Sequence, residues 1–236
     1  MRRPEFIAGL VGAAVVWPLA ARAGAGAGTA MRCTVVFFGL VGLTLAAITC
    51  LAYGQELSAK PTFNCNDARD SVRRMLCDGA EGAEADWAII SAFLARRVSI
   101  PRGERNSFDR AQRRWFEALS GECGLETGRT QFAPSDRKCV LDALHQRTAQ
   151  FLARLQGDAL AEAKLAPEAH VEIQHGLTAF GFFNGAEDGK FGPNTRAAIK
   201  RFLESRHLPQ SDFLSADQRV ILFKESQSAI SSDILN

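Results

Sequence analysis

VEIQHGLTAFGFFNGAEDGKFGPNTRAAIKRF, residues 171–202, sets two helical stripes on either side of a glycine-rich return. Ile173, Leu177 and Phe180 fall at i, i+4 and i+7, a spacing that predicts one buried helix face. Gly181 follows where a left-handed residue closes such a helix. Gly185, Gly189 and Gly192 offer permissive angles for a tight loop, and Asp188 is placed to accept hydrogen bonds from loop amides. Pro193 suits the first turn of the next helix, whose apolar face is Ala198, Ile199 and Phe202. Leu208 and Pro209 end that helix. Ser215 is expected to cap a third, short one, with Val220, Leu222 and Phe223 completing the core.

The region before it is also helical in period. Trp87, Ile90, Leu94 and Val98 form one stripe; Phe108, Ala111, Trp115 and Leu119 form a second; Val140, Leu144, Thr148, Phe151 and Leu155 form a third. Each stripe is expected to face the core. A short helix between Asn66 and Met75 is expected to be capped by Asn64 or Asn66. The fold class is therefore all-α, with a hydrophobic N-terminal segment, a helical bundle over 61–156, a helical or extended linker over 157–166, a second helical domain over 167–224 and a tail over 225–236.

Six cysteines are present. Cys33 and Cys50 lie in the apolar N-terminal stretch, whereas Cys65, Cys77, Cys123 and Cys139 form an even set in the bundle, which reads as two disulfides of an oxidising compartment. Spacing alone leaves three connectivities, of which the pairing of sequence neighbours, Cys65 with Cys77 and Cys123 with Cys139, is preferred. No metal site is expected, because these cysteines lack the close pairs that zinc requires.

Residues 1–23 have a basic start at Arg2 and Arg3, an apolar run and an Ala-Arg-Ala end, which is the grammar of an export signal. The paired arginines resemble a twin-arginine signal, although Pro4 and Glu5 intervene before Phe6. A second start at Met31 leads into an apolar run over 35–52 and is the better signal, with cleavage expected before Gln55. Translation is expected to begin at Met31, leaving 1–30 as an upstream extension. The alternative retains 35–52 as a membrane anchor, its length being near the lower edge for a spanning helix.

The residues quoted from Val171 to Phe202 closely resemble the common three-helix peptidoglycan-binding domain. Leu203 departs from that family, which commonly has Gln there. The resemblance implies a shallow ligand groove near the glycine-rich loop and the helix after it, made by Phe182, Phe183, Asn184, Asn194, Thr195 and Arg196. Asn184, Asn194 and Arg196 would hydrogen-bond sugar hydroxyls or a peptide carboxylate. For Phe182 and Phe191, core packing is an equal reading.

Phe63-Asn64-Cys65-Asn66, Val72, Leu76-Cys77, Gln112-Arg113, Trp115, Cys123 and Cys139, in that order, resemble the LprI N-terminal family of secreted helical domains. That resemblance implies a small extracytoplasmic bundle of the kind named for a lysozyme inhibitor, with lysozyme-like hydrolases as partners. Asp78, Glu81, Glu84 and Asp86 are the acidic groups that could face a basic enzyme, and a solvated helix start is their plainer role.

No catalytic residues and no cofactor are assigned. His170 and His175 are five apart, on different helix faces, so capping or solvent exposure is expected rather than zinc binding. No Gly-x-Ser-x-Gly elbow and no phosphate-binding glycine loop occurs. The formal charge of +2 is too small for a general nucleic-acid binder, and the doublets Arg96-Arg97 and Arg113-Arg114 read as solvated faces. The functional expectation is a noncatalytic, periplasmic or secreted protein that binds peptidoglycan and presents a protein-binding bundle, meeting the membrane only through a retained N-terminal anchor. Carboxylates are numerous enough to leave a glycoside-cleaving pair open, and the alternative is an accessory or cryptic peptidoglycan hydrolase.

Overall fold

A computed structural model describes residues 32–37, 46–51 and 60–234. The chain divides into two compact units, Met1–Glu56 and Leu57–Asn236.

In the first unit, β1 (Arg32–Phe37) pairs antiparallel with β2 (Ala46–Leu51), Arg32 opposite Leu51 and Cys33 opposite Cys50. Thr34, Val35, Val36, Ile48 and Thr49 are β-branched and favour a pleated surface. Residues 35–37 and 46–51 of the apolar run are thus strand; the rest of the run, the expected cleavage point and residues 1–30 lie outside the described residues. Among the described residues, no helix is long and apolar enough to cross a membrane.

The second unit is all-α. Its helices are α1 (Ser71–Leu76), α2 (Ala80–Val98), α3 (Arg105–Glu122), α4 (Pro134–Leu152), α5 (Gly157–Ala163), α6 (Pro167–Ala179), α7 (Pro193–Ser205) and α8 (Ala216–Ile234). Asn64 caps a separate 3-10 turn, Cys65–Asp67, while Asp70 caps α1 by accepting from the Arg73 amide at 2.8 Å. The single short helix expected there is therefore two elements. Disulfides join Cys65 to Cys77 and Cys123 to Cys139, each with a Cα separation of 5.8 Å, which is the preferred pairing.

One core gathers Val72, Met75, Leu76, Ile89, Leu119 and Leu144 from α1 to α4. The third stripe, Val140 through Leu155, is buried as expected. The stripe on α2 is not. Its buried face is Ala85, Ile89, Ala92 and Ala95, whereas Trp87, Ile90, Leu94 and Val98 remain half-buried on the opposite side. Alanines bring α4 and α5 close to the α2 backbone; of the larger residues, Trp87 meets His170 of α6, Ile90 packs at the margin of the bundle core, and Leu94 and Val98 line an open cleft.

A second core unites Ile173 and Leu177 of α6, Ala198, Ile199, Phe202 and Leu203 of α7, and Leu222 of α8. Leu203 is fully buried, so its replacement of a polar residue adds to this core. α8 is long rather than short. Ser215 and Gln218 cap it reciprocally: the Gln218 amide donates to Ser215 Oγ at 3.2 Å, and the Ser215 amide donates to Gln218 Oε1 at 2.9 Å. Val220, expected in the core, is 48% exposed, pointing away from the Leu222 side of the helix.

Residues 157–166 form α5 and its exit. Ala159 and Ala163 pack on Ala95 and Leu155, with Phe213 alongside. The bundle and the C-terminal helices are consequently joined through a packed helix.

Candidate functional site

The loop between α6 and α7 is organised from beneath by Gln174, 1% exposed. Its Oε1 accepts the Gly189 amide at 2.6 Å, and its Nε2 donates to the Lys190 carbonyl and to Thr195 Oγ1, both at 3.2 Å. Asp188 Oδ1 accepts the Lys190 amide at 2.9 Å, the role its position predicted. Gly181 and Gly189 adopt φ of +70° and +73°, where only glycine is unstrained. Gly185 and Gly192 do not. A Cβ at Gly185 would instead collide with the Phe183 ring at 2.7 Å, while Gly192 is an N-cap with φ of −78°.

This frame distributes the six expected ligand residues unequally. Asn184 on the loop and Asn194 in the first turn of α7 are exposed, and no described residue hydrogen-bonds their amides. Phe182 is half-buried against Phe180 and Phe202, its carbonyl accepting from Arg201 Nη2. Phe183 belongs to the core. Thr195 is buried on Gln174.

Arg196 is 5% exposed and locked to Glu162 of α5, with Nη1 to Oε2 at 2.6 Å and Nη2 to Oε1 at 2.5 Å. Nη1 also donates to the Asp212 carbonyl at 2.8 Å, and the guanidinium lies over the Phe213 and Phe191 rings. Its Nε has no acceptor among the described residues. Burial pushes the Glu162 carboxyl upward, and the forked guanidinium opposes that push.

The underside of the same loop rests on α2. Trp87 packs edge-on to His170, and Gly189 lies against the Trp87 ring. His170, expected at a cap or in solvent, is 2% exposed. Its Nδ1 meets the Ala166 carbonyl at 3.2 Å and its Nε2 meets Ser91 Oγ at 3.3 Å. A carbonyl only accepts, so Nδ1 carries the proton and Nε2 accepts the Ser91 hydroxyl. Burial pushes its pKa down to about 4, and Arg196 and Arg219 add to the fall. His175 is exposed beside Glu187, at 3.1 Å. No group of His, Cys, Asp and Glu among the described residues could hold a metal ion.

Beside the module, a cleft of about 1110 Å³ opens between α2, α3 and the start of α7. Phe63, Ile90, Phe93, Leu94 and Phe116 give it an apolar lining. Asp86 also lines it, but is buried and accepts the Thr62 amide at 2.6 Å, so it is not the solvated acid expected from sequence. Burial raises its carboxyl above the ordinary range, against the Thr62 hydrogen bond. Asp78 is engaged by Arg137 at 2.5 Å, leaving Glu81 and Glu84 as the exposed acids of that group without a described partner.

Sequence reasoning gave no role to Gln174 or Glu162, and read Trp87 only as a core residue of the bundle. A polar residue between Ile173 and Leu177 was the available signal for Gln174. The other two act across long separations that no spacing rule reveals. No curated protein and no solved structure matches the chain. Residues 167–211, which contain α6, the Gln174-supported loop and α7, match the family model described as "Putative peptidoglycan binding domain".

Proposed function

We propose that this is an exported, noncatalytic cell-wall protein that binds peptidoglycan through the outward side of the α6–α7 loop and presents its helical bundle to a protein partner. The observation that carries the reading is the family match at 167–211, on a loop that leaves Asn184 and Asn194 without internal partners. Their amides both donate and accept, as recognition of sugar hydroxyls and acetamido groups requires, and the open face of Phe182 offers an apolar surface beside them. Phe183, Thr195 and Arg196 support this surface from within. The two disulfides favour a protein folded outside the cytoplasm. The bundle's LprI-like residues support a lysozyme-like hydrolase as its partner, with Glu81 and Glu84 as the exposed acids available to a basic surface.

Sedimentation with purified sacculi tests the wall reading. The wild-type chain should pellet with sacculi, and the double variant Asn184→Ala/Asn194→Ala should bind about thirtyfold more weakly, the loss of roughly one hydrogen bond's net energy at each position. Equal pelleting of both would move the surface elsewhere, and no pelleting of the wild type would end the reading. The competing hydrolase reading would draw on the raised carboxyl of Asp86 in the cleft. Zymogram clearing that disappears in Asp86→Asn would establish it instead.

A further inference from the structure

The cleft between the bundle and α7 carries a charge pattern that its own residues leave unfinished. Arg102 and Arg113 are exposed on its lining, and neither makes a hydrogen bond or ion pair with a described residue. Arg105 donates only to the carbonyls of Val98 and Ile100, so no carboxylate offsets its charge directly. The acids of the lining are mostly committed: Asp70 to Arg73, Asp109 to Arg97 and Asp212 to Lys200. Asp86 is buried on the Thr62 amide, and Glu117, one turn from Arg113, offsets only part of the excess. Between these cations lie large apolar residues, Ile90, Phe93, Leu94 and Phe116, that are half-buried because the cleft is open above them.

We propose that this cleft receives a short acidic peptide, the stem peptide of the wall polymer, with its carboxylates on Arg102, Arg105 and Arg113 and its small alkyl groups on the apolar lining. The proposal rests on the wall-binding reading and deepens it. Pro193, Ala197 and Lys200 of α7 form one wall of the cleft, and Asn194 is the next residue after Pro193. A glycan resting at Asn194 therefore places its peptide branch beside the cleft mouth. A stem peptide brings the matching chemistry: free carboxylates for arginine forks and alanyl methyls for an apolar surface. A basic lysozyme-like protein would be repelled by the same arginines, which separates this site from the acidic end of the bundle.

The test is calorimetric titration of the full chain with the synthetic pentapeptide N-acetyl-L-Ala-γ-D-Glu-meso-diaminopimelyl-D-Ala-D-Ala, which carries three carboxylates against a single ammonium, and with the counterpart whose carboxylates are all amidated, alongside sacculus sedimentation. The acid peptide should bind at least about tenfold more tightly than the amide, and Arg102→Glu/Arg113→Glu should lose about a hundredfold of that affinity, each lost charge-assisted contact being worth roughly a factor of ten. Both arginines are exposed and unpaired, so an unchanged melting temperature is the accompanying control. Sacculi pelleted by a wild type that ignores the peptide would overturn this proposal and leave the wall reading standing. Peptide affinity unchanged in the double variant would also overturn it. A wild type that does not pellet overturns the wall reading, and this ligand with it.

Discussion

A Cβ at Gly189 would come within 2.5 Å of Trp87 Cη2, at a backbone φ of +73°. Gly189→Ala therefore combines backbone strain with overpacking and is expected to destabilise the protein by about 2–4 kcal/mol. In a Trp87→Ala background part of that cost should vanish, and a double-mutant cycle from urea denaturation measures the coupling. His170 sits on the same ring and makes a second prediction. Its ordinary pKa of 6.5 falls to about 4 in the folded state. The unfolded chain then takes up the proton first, so the stability His170 permits is intact above pH 6.5 and is lost as pH falls from 6.5 toward 4. Asp86, with its raised carboxyl, contributes in the opposite sense, since its stability is lost as pH rises through the folded pKa. Comparison of wild type with His170→Gln isolates the imidazole. The wild type should lose about 2 kcal/mol more between pH 7 and pH 5. An equal loss in the variant would show that another group carries the effect. Gly189, Asp188 and Pro193 were legible as turn and helix-start residues because their requirements are local. Trp87 and His170 were not, because their environment is made by contact between distant helices.

α5 illustrates the same limit for elements. Its sequence reads as a plain alanine-rich connector, yet Ala159 and Ala163 are small because α2 lies close, and Glu162 is retained opposite Arg196. Glu162→Ala should cost about 3–5 kcal/mol by leaving a buried guanidinium unpaired, whereas Glu162→Leu/Arg196→Met should cost far less than that single change. Thermal denaturation of the three proteins decides this. The α2 stripe failed for a related reason: Trp87, Ile90, Leu94 and Val98 have helical period, but period does not say whether the larger or the smaller residues lie deeper. The α4 stripe was legible because one face alone is apolar. The bridge from Cys123 to Cys139 closes the segment between α3 and α4, and replacing both cysteines by alanine should lower stability by roughly 3 kcal/mol.

For the whole molecule, the all-α class of residues 60–234 and the place of the C-terminal module follow from sequence, while the joint between bundle and module does not. Ser91 with His170, Trp87 with Gly189, and Thr62 with Lys190 at 3.0 Å all cross that joint. Trypsin should consequently spare Lys164 under native conditions and cut there only as the entire unit unfolds, a pattern that peptide mass mapping against temperature would reveal. Early cleavage would mean that the joint opens independently. Removal of 166–236 would uncover Trp87 and Glu162, so surface substitutions are better probes of wall binding than truncation.

The docked α5 also changes what attachment to a wall would mean. A domain on a loose string samples a sphere around its anchor and gains from local concentration alone. A bundle packed through α5 and Arg196 has no such slack. Once the module is seated, the bundle would project from the polymer in one orientation, and its reach would be set by its own dimensions and by the facing of Glu81 and Glu84 rather than by diffusion on a leash.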